Sequence, residues 1–99
     1  MAIEGLDITH HDNGARGEYR AAVPGTDKVG RLTWKARGEG VRVVDHTLVP
    51  QELEGRGIAA ALVDALVADA RAQGFRIVPQ CSYVEAKFRR NTDWADLRA

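Results

Sequence analysis

Apolar residues at Ile58, Ala59, Leu62, Val63, Leu66, Val67 and Ala70 recur at spacings of three and four, with Asp64, Asp69, Arg71 and Gln73 between them. This period puts one apolar stripe on a long α-helix and leaves the intervening residues on a wet side. Gly74 reads as the stop, because glycine takes the left-handed conformation that closes a helix without a Cβ penalty. Upstream the period falls to two. Between Lys28 and Arg37, Leu32, Trp34 and Ala36 face one way while Arg31, Thr33, Lys35 and Arg37 face the other, the mark of a strand with one buried and one wet face.

Turn chemistry predicts the remaining elements. Asn13-Gly14 tolerates positive φ and separates a first strand near Leu6 to His11 from a second near Gly17 to Val23. Pro24-Gly25-Thr26-Asp27 makes the next turn. Gly38-Glu39-Gly40 leads into a fourth strand from Val41 to Val49, apolar on both faces as expected near a sheet centre. Pro50 ends it, the helix follows, and Phe75 to Cys81 forms a fifth strand. So long a helical connection suits a right-handed crossover, which makes the fifth strand parallel to the fourth. Pro79 cannot donate to a ladder, so strand five is expected at the edge, parting from strand four around Pro79. Tyr83 to Arg90 reads as a second, short helix, and Thr92-Asp93-Trp94 as a terminal turn with a Thr cap. The predicted class is α+β, with a mixed sheet of about five strands, the first four antiparallel.

Composition narrows the function. One domain, residues 1–99, is expected, burying roughly two-thirds of its unfolded surface. Fourteen basic and fourteen acidic side chains balance, so the long-range field that draws a protein to nucleic acid or an anionic membrane is missing and any anion site must be local. Cys81 is the single cysteine, the pattern of a reducing compartment. Met1 to His11 holds no basic segment followed by an apolar run, and a cytoplasmic protein is expected. His10, His11 and His46 are too scattered to suggest a metal site, and His10 and His11, beside the first hairpin, read as solvated surface.

The junction Gln51-Glu52-Leu53-Glu54-Gly55-Arg56-Gly57-Ile58-Ala59, between strand four and the helix, carries the most chemistry. A helix start offers unpaired N–H groups and the positive end of the macrodipole, so an anion can sit there. Gly55 and Gly57 let the backbone curl toward a ligand, and Arg56 adds a forked cation. The bland alternative is a turn in which the glycines serve only the bend. A nucleoside triphosphatase loop is excluded, since Ile58 and Ala59 follow Gly57 where Lys and a hydroxyl are required. Gly55-x-Gly57-x-x-Ala60 matches a relaxed dinucleotide fingerprint, but no doubly wound fold surrounds it. A cleft between strands four and five, with this helix start at its mouth, is where a ligand is expected.

The segment Glu52-Leu53-Glu54-Gly55-Arg56-Gly57 resembles the pyrophosphate loop of the GNAT superfamily of acetyl-CoA-dependent acyltransferases, [Q/R]-x-x-G-x-[G/A], with Glu52 in place of Gln or Arg. Asp45-His46-Thr47, Val49-Pro50 and Pro79-x-Cys81-Ser82-Tyr83-Val84 make the chain similar to the minimal, roughly hundred-residue branch of that superfamily, over about residues 15 to 97. Asn91-Thr92 stands where that branch usually has a His-Pro pair. The resemblance implies an N-acetyltransferase with acetyl-CoA as co-substrate, no metal, and a small amine or protein lysine as acceptor. It implies that Leu53 to Ala59, with Glu54, Gly55, Arg56, Gly57 and Ile58 between, cradle the pyrophosphate, that N–H groups around Leu48 and Val49 hold the acetyl oxygen, and that Arg90, with Lys87 and Arg89, meets the outer phosphate. A solvated helix face accounts equally for those last three. His46 is the candidate base, read equally as a strand histidine bonded to backbone. Cys81 is a candidate proton donor, relay or acetyl-thioester former, or a small buried residue. Tyr83 is a weaker candidate acid. A non-catalytic CoA-binding module, and an interaction domain in which Trp34 and the third-strand surface contribute to a homodimer, are the alternatives.

Overall fold

The structure, a computed structural model, describes residues 4–99; the first three residues of the segment read for a leader lie outside them. Strands β1 (Asp7–Asp12) and β2 (Arg16–Ala22) form the first hairpin. Its corner is set by a side chain as well as by Gly14 at φ 90°. Asn13 Oδ1 accepts from the N–H groups of Ala15 and Arg16, both at 3.0 Å, an Asx-type turn that fixes the register. β3 (Val29–Ala36) and β4 (Val41–Leu48) continue antiparallel, and β5 (Arg76–Pro79) lies parallel to β4, giving the order β1-β2-β3-β4-β5. The α+β mixed sheet is as its sequence predicts.

Helix α1 (Ile58–Gln73) makes the crossover and buries Ile58, Leu62, Val63, Leu66, Val67 and Ala70 against one sheet face. Gly74, at φ 82°, closes it by donating to the Ala70 carbonyl at 2.8 Å. Helix and sheet approach closely at Gly30, where an added Cβ would lie 2.8 Å from Ile58 Cγ2. Leu32 and Trp34 point into this core, whereas Ala36, at the strand end, is exposed. Asp69, expected on the wet side of α1, is instead half-buried and accepts the Tyr19 hydroxyl at 2.6 Å. The helix stripe is wider than the apolar residues alone define, because Tyr19 carries its own polar tip under the helix.

Helix α2 (Ser82–Arg90) and a 3-10 turn (Thr92–Leu97) complete the chain. The expected Thr92 cap is corrected: Asn91 holds the N-cap position and no side chain caps the turn, which is closed by the Trp94 N–H on the Asn91 carbonyl at 2.9 Å, while the Asn91 side-chain amide donates to the Lys87 carbonyl of α2 at 2.9 Å. β5 is shorter than the expected Phe75 to Cys81, and its outer edge is partly covered, since Arg98 bridges Ile77 and the Ala99 N–H donates to the Ile77 carbonyl at 2.8 Å.

One irregularity resets β4. Trp34 opposes Val44 and Thr33 opposes His46, which leaves Asp45 as an extra residue, a β-bulge. The Thr33 hydroxyl donates to Asp45 Oδ1 at 2.6 Å and pins it to the open face. Beyond the bulge the alternation is shifted by one. Thr47, opposite the buried Leu32, turns toward the helices, while His46 and Leu48, opposite Thr33 and Arg31, turn to the open face.

Candidate functional site

Between Val41 and Val44, β4 is paired on its β5 side in the register Val41↔Arg76 through Val44↔Pro79. The last link is the Cys81 N–H, donating to the Val44 carbonyl at 2.9 Å. Pro79 has no N–H, the Gln80 N–H folds back to the Val78 carbonyl at 2.9 Å, and α2 starts at Ser82, so the chain leaves the sheet here. Among the described residues, no strand pairs with Asp45 to Leu48 on that side. The two strands therefore part at the place expected from Pro79.

At the mouth of this gap the Pro50-Gln51 corner winds a 3-10 turn, Gln51–Leu53, with the Leu53 N–H on the Pro50 carbonyl at 2.8 Å. Leu53 is buried and anchors the turn. Gly55 and Gly57 both sit at φ 79°, the left-handed region that other residues enter only with strain. Gly57 is the N-cap of α1, no side chain caps the helix, and its first turn holds no acidic residue. The N–H groups of that turn are thus left open, with the helix dipole behind them. A groove of about 240 Å³ is lined by Val49, Leu53, Glu54, Gly55, Gly57, Ile58, Ala59, Ala60 and Tyr83. Arg56 is exposed beside it, outside the lining.

The remaining candidates lie around this groove at different positions. Cys81 is half-buried at the N-cap of α2, its sulfur 3.5 Å from the Thr47 hydroxyl. Burial alone would push its thiol up, but hydrogen bonds from the Val84 N–H, the Thr47 hydroxyl and the Tyr83 N–H outweigh it and hold the thiol below its ordinary range. His46 is exposed on the opposite, helix-free face of β4, so the structure brings Cys81 to Thr47 but places His46 across the strand from it. The ring of Tyr83, half-buried, carries the Lys87 ammonium at 5.8 Å. Leu48 stands out on the open face at 58 % exposure. Arg89 lies 3.9 Å from Glu85, whereas Arg90 is exposed and, among the described residues, makes no ion pair. Such solvated pairs contribute little to stability.

Several partners were not legible in the chain. Glu52, at the loop position where the resembled motif has Gln or Arg, is 3.3 Å from Lys28, a pair between residues far apart in sequence. His10, read as surface, is half-buried: it stacks on Tyr19 with ring centroids 4.2 Å apart and accepts the Trp34 indole N–H at 2.9 Å. The Arg42 guanidinium lies between the Trp34 and Phe75 rings at 4.0 and 3.9 Å. Trp34 is 3 % exposed. A hollow of about 720 Å³ lies on the open sheet face and has a lining of mixed charge that includes Glu18, Arg20, Lys35 and Asp45. Among the described residues no group of three or more His, Cys, Asp or Glu side chains is placed to hold a metal ion, and no helix is long and apolar enough to cross a membrane.

Comparison with known proteins agrees with this geometry. The sequence profile of the family described as GCN5-related N-acetyl-transferase matches residues 18–97. The fold is similar to the NMR solution structure of a GCN5-like protein from Staphylococcus aureus, with a TM-score of 0.73, 22 % sequence identity, and coverage of 98 % of this chain and 91 % of that one.

Proposed function

We propose, from the premise that this chain belongs to the GCN5-related N-acetyltransferase family, that it transfers an acetyl group from acetyl-CoA to an amine. The observation that carries the proposal is the parting of β4 from β5 beyond Val44, directly beside a helix start whose amides no side chain caps. The residues fit the co-substrate. Two left-handed glycines curl the loop toward a diphosphate, the amides from Gly55 to Ala59 and the dipole of α1 would take its charge, and Arg56 stands beside them. Acetyl-CoA supplies an activated thioester whose carbonyl an amine can attack.

The chain's own groups supply the rest. An alkylammonium with a pKa of about 10.4 must first lose a proton, which costs about 4 to 5 kcal/mol at pH 7. His46, solvent-facing on β4 beside the unpaired edge, takes that proton, a role typically worth about a hundred to ten thousand fold. N–H groups around Leu48 and Val49 stabilise the oxygen on which negative charge develops. Cys81 lies on the other side of β4, where its thiol, or the hydroxyl of Tyr83, gives a proton to the departing sulfur. The lowered Cys81 pKa favours a second route, in which the Cys81 thiolate first takes the acetyl group and then yields it to the amine.

Thermal melting with acetyl-CoA, CoA and NAD side by side tests the assignment. A ligand at a hundred times its dissociation constant adds about 2.7 kcal/mol, a shift on the order of 10 °C for a domain of this size. Both thioester and free coenzyme are expected to raise the midpoint. No response to either, beside a clear response to NAD, overturns the assignment. The non-catalytic binding reading is separated by His46→Gln and Cys81→Ser: loss of acetyl transfer with the melting response retained marks an enzyme.

A further inference from the structure

A second groove, of about 510 Å³, adjoins the cradle on the open sheet face and is lined by Asp27, Lys28, Val29, Arg31, Leu48, Val49 and Pro50. Val49 lines both hollows, so the two meet at the end of β4. The volume is that of a small-molecule site. Its floor includes Leu48, the one large hydrophobic side chain left exposed among the described residues.

The charges around that floor are arranged unevenly. Lys28 is engaged by Glu52 at 3.3 Å. Arg31 faces Arg20 directly across the β2–β3 ladder, an unfavourable like-charge pair. Glu18 bonds Arg20 and leaves Arg31 without an ion pair among the described residues. Asp27, on the same groove, likewise makes none, and it does not pair with Arg31. Two opposite, uncommitted charges thus line one groove with an apolar floor between the groove and β4. His46 is the diagonal neighbour of Arg31 on the same face, since Arg31 opposes Leu48 and His46 lies two residues before it; such neighbours are about 7–8 Å apart.

We infer that this groove is the acceptor site and that the acceptor is a free diamino carboxylic acid of the lysine type. This rests on the acetyltransferase reading above. Arg31 receives the α-carboxylate, Asp27 the α-ammonium, and Leu48 carries the aliphatic stem, leaving the distal amine directed toward His46. The distal ammonium gives one proton to His46; its nitrogen then forms the new C–N bond as the thioester C–S bond breaks, the coenzyme sulfur leaves with the electron pair, and the second proton shed by the nitrogen ends on that sulfur.

The test is an NMR titration of the CoA-saturated protein, following the Leu48 methyl signals, with L-lysine, pentane-1,5-diamine, which lacks the carboxylate, and 6-aminohexanoate, which lacks the α-ammonium. Saturable, roughly millimolar binding of L-lysine is expected, with the other two at least about tenfold weaker. Arg31→Ala should abolish the discrimination against the diamine, and Asp27→Asn that against 6-aminohexanoate; both positions are exposed, and retained melting with CoA reports that the variants are folded. Equal binding of the three probes, unchanged discrimination in the variants, or no saturable Leu48 shift up to about ten times the expected constant overturns the inference. If CoA itself leaves the melting midpoint unmoved, the acetyltransferase reading fails instead, which keeps the two failures apart.

Discussion

The two halves of β4 are built in opposite ways. From Val41 to Val44 the strand is hydrogen-bonded on both sides, and Arg42 is held between two aromatic rings above a relay in which Trp34 donates to His10, His10 stacks on Tyr19, and Tyr19 donates to Asp69. From His46 to Leu48 it is paired on the β3 side alone, exposes Leu48 and His46, and runs into a loop held by two left-handed glycines. One half is paired along both edges, with Arg42 Nη1 buried there without a hydrogen-bond partner, and the other leaves its β5-side edge open. The bulge at Asp45 is the hinge between them, and it decides which side chains face the gap. A frame of the first kind is what allows the second to hold its geometry before any ligand arrives.

The comparison is broken most severely from the closed half. Trp34→Ala should cost about 3 to 5 kcal/mol, a large part of a small domain's stability, measured by urea denaturation; a loss below about 1 kcal/mol would mean the ring cluster is not the frame. Tyr19→Phe keeps the ring but leaves the half-buried Asp69 without its donor, and should cost about 1.5 to 3 kcal/mol. In the open half, Gly55→Ala adds a Cβ that meets no neighbouring atom within 4 Å, so its cost is the backbone strain alone, about 1 to 2 kcal/mol. The same substitution should remove most of the melting response to acetyl-CoA, whereas Tyr19→Phe should leave that response intact.

Much of this was legible in the chain because period and punctuation are local. The α1 stripe, the Gly74 stop and the parting at Pro79 each depend on a few adjacent residues whose physics does not need the rest of the fold. The faces of β4 were not legible: no residue signal marks Asp45 as an extra residue, and without the bulge His46 would point into the core with Val44. The burial of His10 was hidden for a related reason. Its neighbours Tyr19 and Trp34 come from two other strands, and only the register brings them over the imidazole. The Lys28–Glu52 pair depends in the same way on the β3 start meeting the β4 end.

The smallest effect separates the halves by pH. Burial, the leading cause, holds the His10 pKa below its ordinary value, and Nε2 must stay unprotonated to accept the Trp34 N–H. A base with a depressed folded pKa binds protons more readily when unfolded, so its contribution is full above about pH 6.5 and is lost as pH falls toward the folded value. Denaturation midpoints should therefore fall on acidification through this window, and His10→Phe should flatten that slope; an unchanged slope would show that His10 is not coupled to folding. The response to CoA should follow the slope only through overall stability.

The central claim is that open amides at the start of α1 grip the coenzyme, and amide chemical shifts on addition of CoA address it directly. The account predicts the largest saturable shifts at Gly55 to Ala59, with the amides around Arg42 and Trp34 nearly still. Saturable shifts centred on the Arg42 end of the sheet, with Gly55 to Ala59 unmoved, would contradict it.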